Sequence, residues 1–279
     1  MSTNRELYFK YQKQGIPDSV IYFALQESCN LNNLDLLRDF DRETVNEKSF
    51  VSAMERYQNG EMIEYIFNKT YFLKEPFFVN KDVLIPRQET EQLVLDSIKL
   101  IKDLFGDKQI TIADVCTGSG VIGISIAKQF PKNRVILTDI SKEALEVAKE
   151  NAHRHNSLNN VELKQGDMLE PLINGNKGID VLLCNPPYIE NIETIDKKTW
   201  EQEPHLALLA KPATLFYEKI LKDLDKIVSN NWLLCFEIGE DMEESLTKLI
   251  KEYYPSSQYS FKNDIYGKRR FLYVYSINK

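Results

Sequence analysis

Four consecutive residues, Asn185-Pro186-Pro187-Tyr188, could hold a planar nitrogen group, and they directly follow the apolar run 179–184. The Asn185 side-chain carbonyl and the Pro186 backbone carbonyl can both accept hydrogen bonds from one NH2 group, because the prolines fix the backbone and lack an N–H of their own. Tyr188 adds a flat ring on which a planar substrate can lie. These residues predict a site for an amide or an aromatic amine, with a proline-stiffened loop as the purely structural alternative.

A glycine-rich turn, Cys116-Thr117-Gly118-Ser119-Gly120, follows the apolar run 110–115 and precedes a predicted helix. Glycines at such a turn let the backbone bend tightly and let a ligand approach the peptide groups closely. Gly118, Gly120 and Gly123 also fit the pattern G-x-G-x-x-G, which alone is a weak indication of a dinucleotide site. The turn predicts a nucleotide-like cofactor and leaves its identity open.

Two carboxylates stand at the ends of the next predicted strands. Asp139 can accept hydrogen bonds from the two vicinal ribose hydroxyls of either NAD or S-adenosylmethionine. Asp167 suits an exocyclic adenine amine, and Met168 could pack on the adenine face. We interpret both carboxylates as cofactor ligands, and the alternative is that they are ordinary strand-end turn residues.

The residues after the fourth predicted strand distinguish S-adenosylmethionine from NAD as the cofactor. A dehydrogenase needs an acid or base such as His or Lys beside its hydride acceptor, whereas this chain has Asn185 to Tyr188 at that point. A site that binds N–H groups next to a cofactor pocket favours methyl transfer from S-adenosylmethionine to nitrogen. The sulfonium of that donor already activates its methyl group, so the reaction requires no metal and no covalent nucleophile.

The composition is that of an ordinary globular protein, with 279 residues of which 43% are hydrophobic and 28% charged. A formal net charge of −7 disfavours extensive wrapping of nucleic acid, whose phosphates favour a basic face. Lys268-Arg269-Arg270 is the best candidate for a local basic patch, although a solvated turn is the simpler explanation.

The N-terminal segment has no apolar region typical of a signal peptide, and no stretch approaches 18 uninterrupted apolar residues. We therefore expect a cytoplasmic protein without membrane association. The four cysteines lie far apart and none has metal-ligand spacing, so neither a disulfide framework nor a metal site is expected.

The pattern of apolar residues divides the chain into three parts. Residues 1–70 contain helical periodicity only, and residues 71–86 look like a β-hairpin linker. Thr90 is a plausible N-cap for the helix that follows. From residue 87 to residue 279, near-continuous apolar strands alternate with helices, which predicts a parallel sheet covered on both faces that ends in an antiparallel pair.

The chain resembles the PrmC/HemK family of release-factor glutamine N5-methyltransferases, which belong to the class I S-adenosylmethionine methyltransferases. The resemblance covers nearly the whole chain and is carried by short motifs spread along it. These are Val83-Leu84-Ile85-Pro86-Arg87-Gln88-Glu89-Thr90-Glu91, Thr117-Gly118-Ser119-Gly120, Asn185-Pro186-Pro187-Tyr188-Ile189, Glu203-Pro204, Phe216-Tyr217 and Asp264-Ile265-Tyr266-Gly267-Lys268-Arg269-Arg270.

The resemblance implies an α/β fold, namely a Rossmann-like class I methyltransferase domain with a mainly parallel seven-stranded sheet ending in an antiparallel hairpin. A small helical domain, residues 1–70, would precede it and recognise the substrate. The implied cofactor is S-adenosylmethionine, and the implied substrates are peptide chain release factors, methylated on the glutamine of their Gly-Gly-Gln loop. We expect a monomer that does not bind nucleic acid directly.

The resemblance also assigns roles to individual residues. It implies a cofactor site formed by Cys116, Thr117, Gly118, Ser119, Gly120, Asp139, Asp167, Met168 and Asn185. It implies substrate binding by Asn185, Pro186, Pro187 and Tyr188, with catalysis by Asn185, Pro186 and Tyr188. Glu89 or Glu91 could meet the cofactor's ammonium group, or could simply be acidic residues at the start of a helix.

Three features depart from the family pattern: Cys116 stands where Gly is usual, Gln88 replaces a usual Pro, and residues 209–215 lack a Gly-rich stretch. Other functions stay open at this point. A nucleic-acid N-methyltransferase would place a flipped base on Tyr188, a dinucleotide-dependent oxidoreductase would use the glycine pattern, and a non-catalytic binding module would keep the fold without turnover.

Overall fold

The computed structural model describes residues 2–173 and 178–277. The chain forms two compact units, Met1–Lys69 and Thr70–Lys279. The predicted division at residues 70 and 86, with a separate linker between them, stays a prediction. The hairpin that was expected in this linker lies within the larger unit.

The smaller unit is helical. Its helices are α1 Asn4–Gln12, α2 Asp18–Cys29, α3 Asn33–Arg38, α4 Glu47–Gln58 and α5 Ile63–Phe67. Helix α1 begins at a capping box in which the Thr3 hydroxyl accepts a hydrogen bond from the Glu6 N–H and the Glu6 carboxylate accepts one from the Thr3 N–H. Leu7, Leu25 and Phe50 are among the buried side chains that pack together in its core.

The larger unit starts with an antiparallel hairpin of β1 Thr70–Phe72 and β2 Glu75–Phe77. Leu73 and Lys74 at its tip both have positive φ, 50° and 66°, as a two-residue hairpin turn of type I′ requires. Helix α6, Gln88–Phe105, follows. The prediction that Thr90 is its N-cap is wrong, because α6 begins at Gln88 with Arg87 in the N-cap position. Thr90 therefore lies inside the first turn, where its hydroxyl is free to bond elsewhere.

A seven-stranded sheet of order β5-β4-β3-β6-β7-β9-β8 forms the centre of this unit. Strands β3 to β7 pair in parallel, β9 pairs antiparallel with β7, and β8 pairs antiparallel with β9. The strands are β3 Thr111–Val115, β4 Arg134–Asp139, β5 Val161–Gln165, β6 Ile179–Cys184, β7 Val228–Glu237, β8 Gln258–Asn263 and β9 Arg269–Ser276. The predicted fold, a mainly parallel sheet with an antiparallel end, is confirmed.

Helices cover both faces of this sheet. Besides α6, they are α7 Val121–Gln129, α8 Lys142–Arg154, α9 Glu170–Ile173, α11 Leu215–Asp223 and α12 Glu243–Tyr253, whereas α10 Lys197–Gln202 buries no side chain. Side chains alternate along each strand, so Val181 and Leu183 of β6 pack in the core on one face while Leu182 and Cys184 pack in the core on the other. This double burial explains why the central parallel strands are nearly continuous apolar runs.

The strand order also determines where a ligand can bind. The chain runs outward from β3 through β4 to β5 on one side, and then from β6 to β7 on the other. The carboxyl ends of β3 and β6 therefore meet where the order reverses, and an open parallel sheet binds ligands in the crevice at that point. The glycine-rich turn follows β3 and Asn185 follows β6, so both predicted sites open into one crevice.

Candidate active site

One cavity at the carboxyl edge of the sheet brings most of the predicted site residues together. The predicted residues that line it are Cys116, Thr117, Gly118, Ser119, Asp139, Asp167, Met168, Asn185 and Pro187. Gly120, Pro186 and Tyr188 were also predicted for the site but lie outside the lining of this cavity. The rest of the wall is largely apolar and includes Val83, Leu84, Ile122, Ile140 and Phe216.

Gly120 has a packing role in the turn. It adopts φ +83°, and a Cβ at this position would lie 2.8 Å from Ile124 Cδ1 and 3.1 Å from the Ala148 Cβ. Any larger residue would push the turn away from helices α7 and α8. Cys116 also has a positive φ, 58°, in a region that glycine adopts more readily. Its Sγ lies 3.7 Å from the Met168 Sδ.

Asp139 is a partly buried carboxylate with unused acceptor capacity. Its Oδ2 accepts a hydrogen bond from the Gly118 N–H at 2.9 Å, and its Oδ1 accepts one from the Ser141 N–H at 2.9 Å. Burial raises the pKa of Asp139, and the backbone donors act in the opposite direction. The carboxylate can still accept from further donors, since its two oxygens offer about four acceptor sites. Two adjacent acceptors on a cavity wall fit a pair of vicinal hydroxyls.

Asp167 and Met168 lie across the same cavity. The Asp167 carboxylate pairs with the Lys219 ammonium at 2.7 Å, and the Lys219 Nζ lies 5.6 Å from the centre of the Phe216 ring. Met168 is buried among apolar side chains beside Cys116. An acidic group beside a thioether and an aromatic ring fits a flat heterocycle with an exocyclic amine.

Sequence reasoning missed Asp114, whose buried carboxylate holds the glycine-rich turn in place. This fully buried carboxylate accepts hydrogen bonds from the Thr117 hydroxyl at 2.6 Å and the Gly123 N–H at 2.8 Å, both on Oδ2. Burial raises the pKa of Asp114 to about 7. The signal was available, because an acidic residue inside the apolar run 110–115 must serve a buried partner.

Asn151 and Glu203 are two further supports. Sequence reasoning missed Asn151 and gave no role to Glu203, although Glu203-Pro204 is one of the motifs that carry the resemblance. The Asn151 amide of α8 donates to the Ser119 carbonyl at 2.8 Å and to the Phe78 carbonyl at 2.9 Å, which ties the turn to the segment after the hairpin. The buried Glu203 carboxylate pairs with Arg87 and accepts from the Ile85 N–H. The Glu203 contacts hold the wall of the cavity that residues 83–87 form.

The Asn185 side chain belongs to a buried polar network. Its Nδ2 lies 3.5 Å from the Thr90 Oγ1, and the Thr90 hydroxyl donates to the Glu237 Oε2 at 2.7 Å. The Tyr188 hydroxyl donates to the Glu237 Oε1 at 3.3 Å. Burial raises the pKa of Glu237 and that of Tyr188. Neither Thr90 nor Glu237 was predicted to serve this site.

The two acids proposed for the cofactor's ammonium do not line the cavity. Glu91 accepts a hydrogen bond from the Leu73 N–H at 2.9 Å, so it holds the hairpin turn. Glu89 lies in the first turn of α6, where a carboxylate interacts favourably with the helix dipole.

The candidate basic patch Lys268-Arg269-Arg270 is neutralised by nearby acids. Lys268 pairs with Glu240 at 2.8 Å, Arg269 pairs with Glu243 at 2.6 Å, and Arg270 lies 3.7 Å from Asp264. The patch therefore offers little net positive charge to a phosphate backbone.

Within residues 2–173 and 178–277, no group of three or more His, Cys, Asp or Glu side chains is arranged to hold a metal ion. In the same part of the chain, no helix combines the length and the apolar character needed to cross a membrane.

Comparison with known proteins identifies the class. The family model "Methyltransferase small domain" matches residues 94–202. The crystal structure of the hMettl16 catalytic domain covers 80% of this chain and 92% of its own with a TM-score of 0.56 at 14% identity. The ribosomal protein L11 methylase from Lactobacillus delbrueckii subsp. bulgaricus covers 72% and 84% with a TM-score of 0.50 at 20% identity. The structural likenesses show the fold alone, which is Rossmann-like, and the family model places a methyltransferase domain within it.

Curated relatives identify the family. Proteins named release factor glutamine methyltransferase are 32% identical in Bacillus cereus, over 94% of both chains, and 35% identical in Flavobacterium psychrophilum, over 92% of this chain and 91% of that one. A protein of the same name from Mycoplasma mycoides is 34% identical over 88% of this chain and 87% of its own. The chain belongs to the release factor glutamine methyltransferase family, and its methyl donor is S-adenosylmethionine.

Proposed function

We propose that this protein transfers a methyl group from S-adenosylmethionine to the side-chain amide nitrogen (N5) of the glutamine in the Gly-Gly-Gln motif of peptide chain release factors. The observation that carries this proposal is that Asn185 and Asp139 line one cavity in a chain of this family. An amide-binding group and a ribose-binding group are thus close enough to serve one reaction. Family membership favours this function over a nucleic-acid base as acceptor and over a dinucleotide as cofactor.

The residues at the glycine-rich turn have the chemistry to hold the donor. Asp139 offers two carboxylate oxygens to the ribose hydroxyls, and Asp167 offers an acceptor to the adenine amine. Met168 provides an apolar surface for the adenine ring, and the positive φ of Gly118, 51°, shapes the turn around the ligand. When bound, the donor supplies a methyl group on a positively charged sulfur.

Asn185 and Pro186 orient the acceptor in this proposal. An amide nitrogen is a weak nucleophile because its lone pair is delocalised into the carbonyl group. Hydrogen bonds from the two glutamine N–H groups to the Asn185 Oδ1 and the Pro186 carbonyl would align the nitrogen and leave electron density on it. Alignment of this kind lowers barriers by about 7–11 kcal/mol in the best intramolecular models.

The two other residues of the motif have supporting roles. Pro187 forms part of the cavity wall beside Asn185. The Tyr188 hydroxyl donates a hydrogen bond to the buried Glu237, and this bond fixes the position of the ring. We propose that the Tyr188 ring meets the amide plane once the substrate enters.

We further propose that residues 1–70 recognise the release factor and that the protein acts as a monomer in the cytoplasm, where release factors work on ribosomes. Direct binding of nucleic acid is not part of the proposal. A net charge of −7 and the paired charges of Lys268-Arg269-Arg270 support this view.

Mass spectrometry of a purified bacterial release factor incubated with this protein and S-adenosylmethionine tests the proposal. We expect one added methyl group on the Gly-Gly-Gln peptide. A release factor with glutamate in place of this glutamine should gain none, and neither should tRNA or duplex DNA. Methylation of a nucleic acid, or of the release factor at another residue, would contradict the proposal.

A further inference from the structure

Glu237 is a buried carboxylate that does not line the cavity, yet it is connected to the motif that the proposed reaction uses. It ends strand β7, next to β6, and only 2% of its surface is exposed. Its two oxygens bond different partners: Oε2 accepts from the Thr90 hydroxyl at 2.7 Å, and Oε1 accepts from the Tyr188 hydroxyl at 3.3 Å. Burying a carboxylate costs free energy because the charged group loses its hydration, so its position needs a structural or functional reason.

The direction of each hydrogen bond follows from the chemistry of the groups. An ionised carboxylate can only accept hydrogen bonds, so the Thr90 hydroxyl must donate its single proton to Glu237. The Thr90 oxygen is then left with lone pairs only, and it can bond Asn185 solely through the Asn185 NH2 group, whose nitrogen lies 3.5 Å away. The opposite orientation of the amide would set the Asn185 Oδ1 against the lone pairs of Thr90. The Asn185 Oδ1 is therefore turned away from Thr90 and left free to accept.

We propose that Glu237 is a positioning residue which, through the Thr90 hydroxyl, fixes the Asn185 amide with its oxygen toward the substrate. This inference rests on the proposed function, since it needs a substrate N–H group for that oxygen to accept. Glu237 does not touch the substrate. It determines which end of a nearly symmetric amide faces the reaction.

Two hydrogen bonds and one positive charge favour the ionised form of Glu237 that this arrangement needs. Burial and the nearby Glu89 carboxylate raise the pKa of Glu237, whereas the hydroxyls of Thr90 and Tyr188 and the Arg270 guanidinium lower it. Arg270 belongs to β9, where its guanidinium also donates to the Ile238 carbonyl at 3.2 Å. The closing hairpin thus supplies a positive charge to the carboxylate that orients Asn185.

The hydroxyl of Thr90 can be removed without changing the shape of the side chain. We expect Thr90→Val to lower kcat by about tenfold to a hundredfold, since misalignment of a reacting group has effects of that size. Thr90→Ser, which keeps the hydroxyl, should recover most of the lost rate. Thr247→Val makes the same chemical change in helix α12, outside the site, and should leave kcat at the wild-type value.

The readouts separate positioning from binding and folding. Affinity for S-adenosylhomocysteine, measured by calorimetry, should stay within about threefold of wild type in all variants, because the ribose and adenine contacts are untouched. If the valine variant fails to fold, Glu237→Gln gives a second test, since a neutral amide no longer compels the Thr90 hydroxyl to donate and can reverse the hydrogen bonds by presenting its NH2 group. We expect that variant to lose about tenfold or more in kcat as well.

Two kinds of failure can be told apart. If the wild-type protein does not methylate the glutamine, the proposed function fails and the Thr90 variants are not informative. If the wild type is active and Thr90→Val retains its kcat, the role of Glu237 is disproved while the proposed function stands. Equal losses in the valine and serine variants would also disprove it, because the hydroxyl would then be irrelevant.

Discussion

The two ends of the cavity are built in different ways. At the donor end, the groups that face the ligand come from the carboxyl ends of β3, β4 and β5 and the residues just after them, and Asp139 is held by the backbone of its own and the neighbouring turn. At the acceptor end, Asn185 depends on Thr90 and Glu237, which lie 95 and 52 positions away in the sequence. At the donor end, Asp139 is held by local backbone donors, although the Asn151 side chain of α8 also holds the Ser119 carbonyl. At the acceptor end, Asn185 is held by side chains from distant elements.

This difference corresponds to two tasks, which are binding of the donor and alignment of the acceptor amide. A ribose hydroxyl needs an acceptor in approximately the right place, which backbone donors around a carboxylate provide. A reacting amide needs one orientation and no other, which a buried chain of directional hydrogen bonds provides. Changes at the donor end should therefore alter affinity, and changes at the acceptor end should alter turnover.

The largest effect is expected for Asn185→Ala. Loss of the amide-binding oxygen should lower kcat by roughly a hundredfold to a thousandfold, the size seen when one group that stabilises a transition state is removed. Affinity for S-adenosylhomocysteine should change by less than about threefold. Asn230→Ala, at an exposed position near the start of β7, is the matched control. Wild-type turnover in Asn185→Ala would refute the role of Asn185.

The next largest effect is expected for Asp139→Ala, which should lower affinity for the donor more than it lowers kcat. Loss of hydrogen bonds to a charged group should weaken binding of S-adenosylhomocysteine by about tenfold to a hundredfold, and kcat at saturating donor should fall less than the affinity does. Isothermal titration calorimetry measures the first and steady-state kinetics the second. Asp103→Ala, exposed in helix α6, serves as control. Unchanged affinity in Asp139→Ala would mean that the ribose is held elsewhere.

The pH dependence of stability tests the buried support beneath the donor end. The pKa of Asp114 is about 7 in the folded protein and 3.8 ordinarily. The folded state therefore binds the proton more tightly, and Asp114 costs the protein stability as pH rises from about 4 to 7, by about 1 kcal/mol per pH unit. The difference in unfolding free energy, Asp114→Asn minus wild type, should grow over this range and level off above it. A constant difference would show that Asp114 is ionised throughout.

The smallest effect is expected for Cys116→Gly. Glycine removes the strain of φ 58°, worth about 1–2 kcal/mol, but it also removes the contact with Met168 and makes the unfolded chain more flexible. We expect the unfolding free energy to change by about 1 kcal/mol or less, and donor affinity to stay within about threefold. A tenfold change in affinity would show that the Cys116 side chain itself contacts the donor.

The parts of the molecule that could be predicted from sequence are those that local patterns determine. Apolar runs followed by Gly118 or Asp139 identify strands and the groups at their ends, because burial and turn geometry act over a few residues. The network around Asn185 could not be predicted in this way. The sequence predicts Thr90 as a helix cap. Its actual partner Glu237 is 147 positions further along the chain, so only the folded structure brings the two together.

A crystal structure of the protein with S-adenosylhomocysteine and a glutamine-containing release-factor peptide tests the central claim most directly. We predict that the glutamine side-chain nitrogen lies within hydrogen-bonding distance, about 2.7–3.2 Å, of both the Asn185 Oδ1 and the Pro186 carbonyl oxygen, in line with the cofactor sulfur. A carbonyl oxygen only accepts, so its contact identifies the nitrogen end of the glutamine amide. A glutamine bound with its oxygen toward these groups, or outside the cavity, would contradict the account.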